Sequence, residues 1–305
     1  CARVGCMPSK LLIAAADAAN MVTHAGLFGV QGGGLRVDGR AVMQRVRDER
    51  DRFVGFVQDA VQRWPEEHRL RGRARFIDEH MLDVGGHTQV NAARIVIATG
   101  SRPAVPPAWR QALGDRLIVN DDVFAWQDLP ASVAVVGAGV IGLELAQALH
   151  RLGVRTRLFG RGERVGPLTD PALQAITREV FARKLPLTRN ALAMDVSRDG
   201  DNVVLRLPGQ PEEHFDWLLC ATGRVPNIDD LGLEHTRLPL DPNGVPVHDR
   251  RTGQIGASSV FLAGDAAHPE VGVARQHATL LVTVGPQLRG GKLEERQRTR
   301  CRLEG

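Results

Sequence analysis

The chain lacks several things, and each absence narrows its class. No uninterrupted apolar run approaches the roughly 20 residues that a membrane-spanning helix needs, so the sequence reads as a soluble protein with no membrane partner. A positively charged leader followed by an apolar stretch would mark secretion; neither is present, which points to the cytoplasm. Cysteine is sparse. Four in 305 residues cannot build the dense framework of a small secreted disulfide scaffold. Two of them, Cys1 and Cys6, stand together in the opening stretch "CARVGCMPSK". Structural zinc sites pair thiols at short spacings and need further Cys or His ligands nearby. None follows here at useful spacing, so no metal site is expected and the pair invites a redox reading.

What is present is an ordinary globular composition, 43% hydrophobic and 24% charged, with room for two domains of about 100–200 residues each. The net charge of +4 comes largely from scattered arginines, with one cluster in "EERQRTRCRLEG". Such a cluster is ordinarily a solvated surface, and no nucleic-acid partner is expected.

The segment "PSKLLIAAADAANMVTHAG" has Pro8 in a first helical turn, alanine-rich propensity and a glycine stop at Gly26. "AVMQRVRDERDRFVGFVQDAVQRW" repeats apolar residues at helical spacing and reads as a long amphipathic surface helix packed on a sheet. Short alternating strands follow, in "ARFIDEHMLDV" and "TQVNAARIVIATG".

The last ending occurs twice. "RIVIATGSRP" closes on Ala98-Thr99-Gly100 and Ser101, and "WLLCATGRVPN" closes on Ala221-Thr222-Gly223 and Arg224. Two copies suggest two related nucleotide-binding halves. Between them lies "SVAVVGAGVIGLELAQALHRLGV", a β-branched run that stops at Gly137 and Gly139 and opens a helix through Gly142. This is the context that makes G-x-G-x-x-G a dinucleotide fingerprint rather than a bare tight turn. Gly137 permits the turn, Gly139 lets backbone approach a pyrophosphate, and Gly142 lets helix and strand pack closely.

With "CARVGCMPSK", "ATGSRP", "GAGVIGLELA", "ATGRVPN" and "VFLAGDAA" in this order, the sequence resembles the pyridine nucleotide-disulfide oxidoreductases, and among them the dihydrolipoamide dehydrogenase group. The resemblance runs from Cys1 to about Ala267. It implies an α/β fold of Rossmann-like FAD- and NAD(P)-binding domains, the second inserted in the first. Residues 1–119 would begin the FAD domain, 120–243 form the NAD(P) domain and 244–267 return to the FAD domain, leaving 268–305 unassigned. The family's first FAD motif would lie about one βαβ unit ahead of Cys1, and its C-terminal interface domain has no counterpart in the tail. A fragment, or a reading frame lost near Ala274, is the expectation, with a homodimer for the longer form.

The resemblance further implies that Cys1 exchanges with the substrate's dithiol or disulfide and that Cys6 passes electrons to the flavin. Five helical residues advance about 7.5 Å, whereas bridged Cα atoms lie about 4.4–6.8 Å apart. The bond therefore needs irregular backbone, expected at Gly5 and Pro8, and a nearby helix N-terminus would favour the thiolates. Lys10 and Glu144 would pair beside the flavin, although a glutamate early in a helix could instead serve the helix dipole. Asp265, after Gly264, would bond the ribityl chain of FAD, or simply cap a turn. His268 and His277 fit no catalytic pattern. Ser9 and Val140 stand where glutathione reductases tend to carry Lys and Tyr, which favours lipoamide as substrate over another small or protein-bound disulfide. Mercuric reductases share the thiol motif but add a C-terminal thiol pair, where this chain has Cys301 alone.

The expected activity is transfer of electrons from dihydrolipoamide through FAD to NAD or NADP; the alternative is a non-catalytic nucleotide-binding remnant. An acidic residue about 20 residues past the first glycine marks NAD, and arginine there marks NADP. Gly160 holds that position, followed by Arg161 and Arg164, so NADP(H) is expected to be tolerated unless Glu163 swings back to the ribose.

Overall fold

Helix α1, Cys6–His24, starts where the backbone allows it. Gly5, at φ 85° and ψ −114°, turns the chain into the helix, a conformation with positive φ that glycine supplies at least cost. Pro8 is the third helical residue, where the N–H it lacks has no intrahelical partner anyway. Of the two irregular points expected, only Gly5 lies outside the helix. The buried residues Ser9, Leu12, Ala16 and Ala19 form one stripe. The helix runs into a 3-10 turn, Ala25–Phe28, and stops at Gly29, φ 75°, three residues later than the expected stop at Gly26. The computed structural model describes residues 2–31 and 34–267. Cys1, His268, His277, Cys301 and the rest of the tail lie outside the described residues.

Helix α2, Gly39–Gln62, is capped by Asp38, whose carboxylate accepts from the Ala41 N–H at 3.0 Å. It packs on α1 rather than on a sheet, burying only Met43 and Val46. Its far end leaves Phe56, Val57 and Val61 exposed, as is Trp64 just beyond it. Strands β1 (Ala74–Phe76), β2 (Met81–Val84) and β3 (Thr88–Asn91) form an antiparallel meander. Next come β4 (Ile95–Ile97) and β5 (Ser101–Pro103), helix α3 (Pro107–Leu113), β6 (Leu117–Val119) and the one-turn α4 (Asn120–Val123).

The central unit follows. Strand β7 (Ser132–Val136) leads into helix α5 (Val140–Arg151), β8 (Arg155–Phe159), helix α6 (Pro171–Lys184) and β9 (Leu187–Thr188). An antiparallel layer, β10 (Asp195–Asp199), β11 (Asn202–Arg206) and β12 (Glu213–Phe215), precedes β13 (Trp217–Cys220). The parallel sheet has the order β6-β13-β7-β8-β9. Every residue of β7 is buried, because both faces are covered. Val133 and Val135 share a core with α1 and α5, while Ala134 and Val136 share one with Val203, Leu205 and Phe215 of the antiparallel layer. Alternate residues feeding two cores explains why this strand reads as a continuous apolar run.

Beyond β13 the chain crosses back through β14 (Arg224–Pro226), antiparallel to β5, and ends its described course with β15 (Val260–Leu262), parallel to β4. A third core joins Phe76, Ile95 and Ile97 to Ile228, Leu238, Ile255 and Leu262. Leu117–Val119 belongs to the parallel sheet, and Ile228, Leu233 and Leu238 to the third core.

Cys6–Phe28 spans 23 residues with a most apolar window of mean hydropathy 1.4, long and apolar enough to cross a membrane. The expectation from apolar runs missed this, because Lys10 and Asp17 interrupt the stretch without lowering its average enough. In the fold, one face of α1 is buried against α2 and α5. Leu12→Ala should therefore lower stability by about 2–5 kcal/mol, while Met21→Ala, on the exposed face, should stay within about 0.5 kcal/mol. Denaturant titration of the two variants checks this; equal effects would show that α1 does not pack this way.

Candidate active site

The glycine loop between β7 and α5 is built by contact. Gly137 has φ 119°, and a Cβ there would lie 2.1 Å from the carbonyl oxygen of Ala221. A Cβ on Gly142 would lie 1.8 Å from the Gly137 carbonyl oxygen. Both glycines are thus required by protein against protein. Gly139 differs: a Cβ there would meet no protein atom within 4 Å. It is the N-cap of α5, exposed, with no side chain capping the helix, and the first-turn N–H groups face out with the positive end of the dipole. Space outside Gly139 together with unbonded donors fits a pyrophosphate.

At the end of β8, Gly160 is buried, and a Cβ there would stand 3.2 Å from that of Ala138. Arg161 and Arg164 are exposed and make no hydrogen bond or ion pair among the described residues. Glu163 does not swing toward them; Arg189 and Asn190 hold its carboxylate.

The two Ala-Thr-Gly copies face each other across the β5–β14 pair with reciprocal bonds. Ala104 N–H donates to Gly223 at 2.9 Å, and Asn227 N–H donates to Gly100 at 2.9 Å. Each donor is four residues past its own glycine, so the repeat legible in the sequence is a local two-fold arrangement in space. Thr222 Oγ1 donates to the Ala104 carbonyl at 2.8 Å, and Asn227 Nδ2 donates to the Thr99 carbonyl at 3.1 Å. Arg224 is spent on this crossover: it donates to Ser101 Oγ at 2.8 Å, to the Ser101 carbonyl at 2.6 Å and to Asn120 at 3.3 Å. Beside it Asp121 is half-buried; burial raises its carboxyl above the ordinary aspartate range, against the opposing pull of Arg224.

Strand β15 ends beside β4, with Leu262 in register with Ile97. Ala98–Gly100 and Gly264–Asp265 therefore leave the same carboxyl edge of a parallel pair, the edge where open α/β sheets bind ligands. Asp265 is exposed, and its carboxylate makes no hydrogen bond among the described residues, so it does not cap the turn it sits in. An unengaged acceptor at this edge fits the hydroxyls of a flavin nucleotide.

Cys6 is the first helical residue of α1 and is exposed at the positive end of the helix. Ser9 Oγ donates to the Cys6 carbonyl at 3.0 Å. One turn on, Lys10 Nζ reaches Glu144 Oε1 of α5 at 2.6 Å, across 134 residues of sequence. With Lys10 60% and Glu144 34% exposed, such a pair is worth about 0–1 kcal/mol to folding. Its importance is positional: it fixes the thiol helix against the helix that carries the glycine loop.

The family model for pyridine nucleotide-disulphide oxidoreductases matches residues 1–284. The chain belongs to this family. Members use FAD and NAD(P). The chain is 28% identical to dihydrolipoyl dehydrogenase of Chlamydia muridarum over 272 residues, 87% of this chain and 57% of the relative. It is 30% identical to mycothione reductase of Mycobacterium tuberculosis over 274 residues, 88% of this chain and 59% of the relative. It is 32% identical to mercuric reductase of Acidithiobacillus ferrooxidans over 275 residues, 87% of this chain and 49% of the relative. The structure of LpdA from Mycobacterium tuberculosis superposes with a TM-score of 0.70 at 23% identity, covering 88% of this chain and 61% of that one. The HOCl-induced flavoprotein disulfide reductase RclA from Escherichia coli gives 0.68 at 22%, covering 88% and 57%. This family member thus spans about three fifths or less of the length of these relatives.

Sequence reasoning missed Asn227, Arg189 and Asn190. Asn227 could have been found from its place in the second repeat; Arg189 and Asn190 follow a two-residue strand and carry no motif.

The contrast between the glycines yields a direct expectation. Gly142→Ala should destabilise by about 1–3 kcal/mol or more through overpacking, whereas Gly139→Ala should change stability by less than about 1 kcal/mol and weaken nucleotide binding instead. Thermal melts and nucleotide titration of both variants test this; equal melting losses would contradict the assignment of Gly139 to a ligand.

Proposed function

We propose that this protein supplies the thiol-to-nicotinamide machinery of a flavin-dependent dithiol–disulfide oxidoreductase acting on dihydrolipoamide. The observation that carries the reading is the Lys10–Glu144 contact, which joins the helix of Cys6 to the helix of the dinucleotide loop. FAD, when bound, supplies two-electron transfer between thiols and nicotinamide. The chain's own part is to hold and orient. Asp265 and the backbone around Gly100 would take the flavin nucleotide, Gly139 and the first turn of α5 the nicotinamide pyrophosphate, and Arg161 and Arg164 a 2′-phosphate by charge-assisted bonds. Cys1 would meet the substrate's sulfur, and Cys6 would receive the exchange at the positive end of α1.

The lipoamide assignment rests on Ser9 and Val140, since the relatives named above include enzymes named for lipoamide, for mycothione and for mercury. NADP(H) is read as accepted because the acidic partner of a ribose hydroxyl is missing at Gly160 and Glu163 is engaged elsewhere. A protein that binds NAD(P)H but stays colourless and turns over no dithiol would favour the non-catalytic alternative.

In the FAD-loaded protein, Cys6→Ser should abolish the long-wavelength absorbance that appears on partial reduction. Cys1→Ser should keep the band yet stop dithiol turnover. Glu144→Gln should leave stability within about 1 kcal/mol while lowering kcat by about 10–100-fold, through misplacement rather than unfolding. Spectral titration, melting and steady-state rates check these outcomes. Wild-type turnover of dihydrolipoamide by both cysteine variants would refute the mechanism.

A further inference from the structure

The loop that follows β8 carries one carboxylate, Glu163, between two exposed arginines, and that carboxylate is held away from both. Arg189 donates to its Oε2 and Asn190 Nδ2 donates to its Oε1, while Arg178 Nη1 stands 4.0 Å from Oε2. The holding segment is itself fixed by backbone. Gly160 N–H donates to Thr188 at 2.8 Å, Ala191 N–H donates to Gly160 at 2.9 Å, and Asn190 N–H donates to Gly162 at 3.4 Å. Asn190 adopts φ 57° and ψ 33°, the only positive φ outside glycine among the described residues. Asparagine is among the few L residues that accept this conformation readily. Here the left-handed turn coincides with a side-chain amide aimed at Glu163.

We propose that Arg189 and Asn190 are positioning residues that set nucleotide specificity by clasping Glu163; this rests on reading the α5 loop as the NAD(P) site. A free carboxylate three residues past Gly160 has two effects on a nucleotide there. It accepts a hydrogen bond from a ribose 2′-hydroxyl, which favours NAD(H), and it repels a 2′-phosphate while competing for Arg161 and Arg164. The clasp removes both effects. With its carboxylate paired to Arg189, Glu163 leaves Arg161 and Arg164 without an internal counter-ion, and a 2′-phosphate is the anion whose charge and bidentate geometry match two guanidinium groups. On this reading a preference for NADP(H) is set by two residues that act through Glu163.

The test is equilibrium binding of NADPH and NADH, followed by nicotinamide fluorescence, so that no turnover is needed. The wild-type protein is expected to bind NADPH at least about tenfold more tightly than NADH. The Arg189→Ala, Asn190→Gly double variant keeps the left-handed backbone and loses the clasp. It should narrow that ratio by about tenfold, mostly through tighter NADH binding. Adding Glu163→Gln to the double variant should cancel the gain for NADH, which a merely structural role for the clasp would not do. Arg189→Lys alone should keep the ratio near wild type. An unchanged ratio in the double variant, or a gain for NADH that survives Glu163→Gln, would overturn the clasp. Failure of the wild-type protein to bind either nucleotide would overturn the NAD(P) reading itself, and the clasp with it.

Discussion

The packing of α1 against α5 is the constraint on which the rest of this molecule depends. The two helices are more than a hundred residues apart in sequence, yet Leu12, Ala16 and Ala19 of one share a core with Leu145, Ala146 and Leu149 of the other. Small residues on α1 let the helices approach, and the apolar contact provides the stability. The exposed ion pair Lys10–Glu144 then adds little energy and much definition. Because α5 begins at the glycine loop and α1 begins at Cys6, this one contact sets the distance between the Cys6 end of α1 and that loop.

The loop is positioned by a second constraint, close approach of backbone. Gly142 sits against the Gly137 carbonyl, and Gly137 against Ala221 at the end of the neighbouring strand. The dinucleotide loop and the second Ala-Thr-Gly are therefore one construction. The first Ala-Thr-Gly is tied to it through the reciprocal bonds of β5 and β14, and to Gly264–Asp265 through the β4–β15 pair. Among the described residues, β4 and β15 form a sheet of two strands, with a single antiparallel bridge from Gln254 to Phe261 of β15, and Val96 of β4 is 39% exposed. The five-stranded sheet that carries the glycine loop is thus more fully built in these residues than the β4–β15 pair.

Much of this is legible in the amino-acid sequence. Glycines with steric reasons announce themselves because no other residue fits, so the loop and the turn after β4 could be read in order. The Lys10–Glu144 contact was foreseen through family resemblance and not from spacing, since nothing local links residues 134 apart. The place of β6 is not legible locally, because a short apolar strand reads the same in either sheet and its partner β13 lies about a hundred residues downstream. The packing surface of α2 was misread as a sheet because an amphipathic pattern specifies that a face is buried and not what buries it. The bonds of Arg224 to Ser101 and Asn120 at the crossover are not legible locally, because an arginine after Ala-Thr-Gly can reach protein or ligand. The clasp on Glu163 was invisible, as it depends on a left-handed turn that no sequence motif marks.

The central claim is that the thiol helix and the nucleotide loop form a single mechanical unit. Amide hydrogen exchange with and without saturating NADPH tests it most directly. The account predicts slowed exchange in the first turn of α5 and in residues 160–164, reaching through Glu144 and Lys10 into the first turn of α1. The exposed far end of α2, around Val57 and Val61, should not change. Protection that appears at α5 but never at α1, or that concentrates on α2, would contradict it.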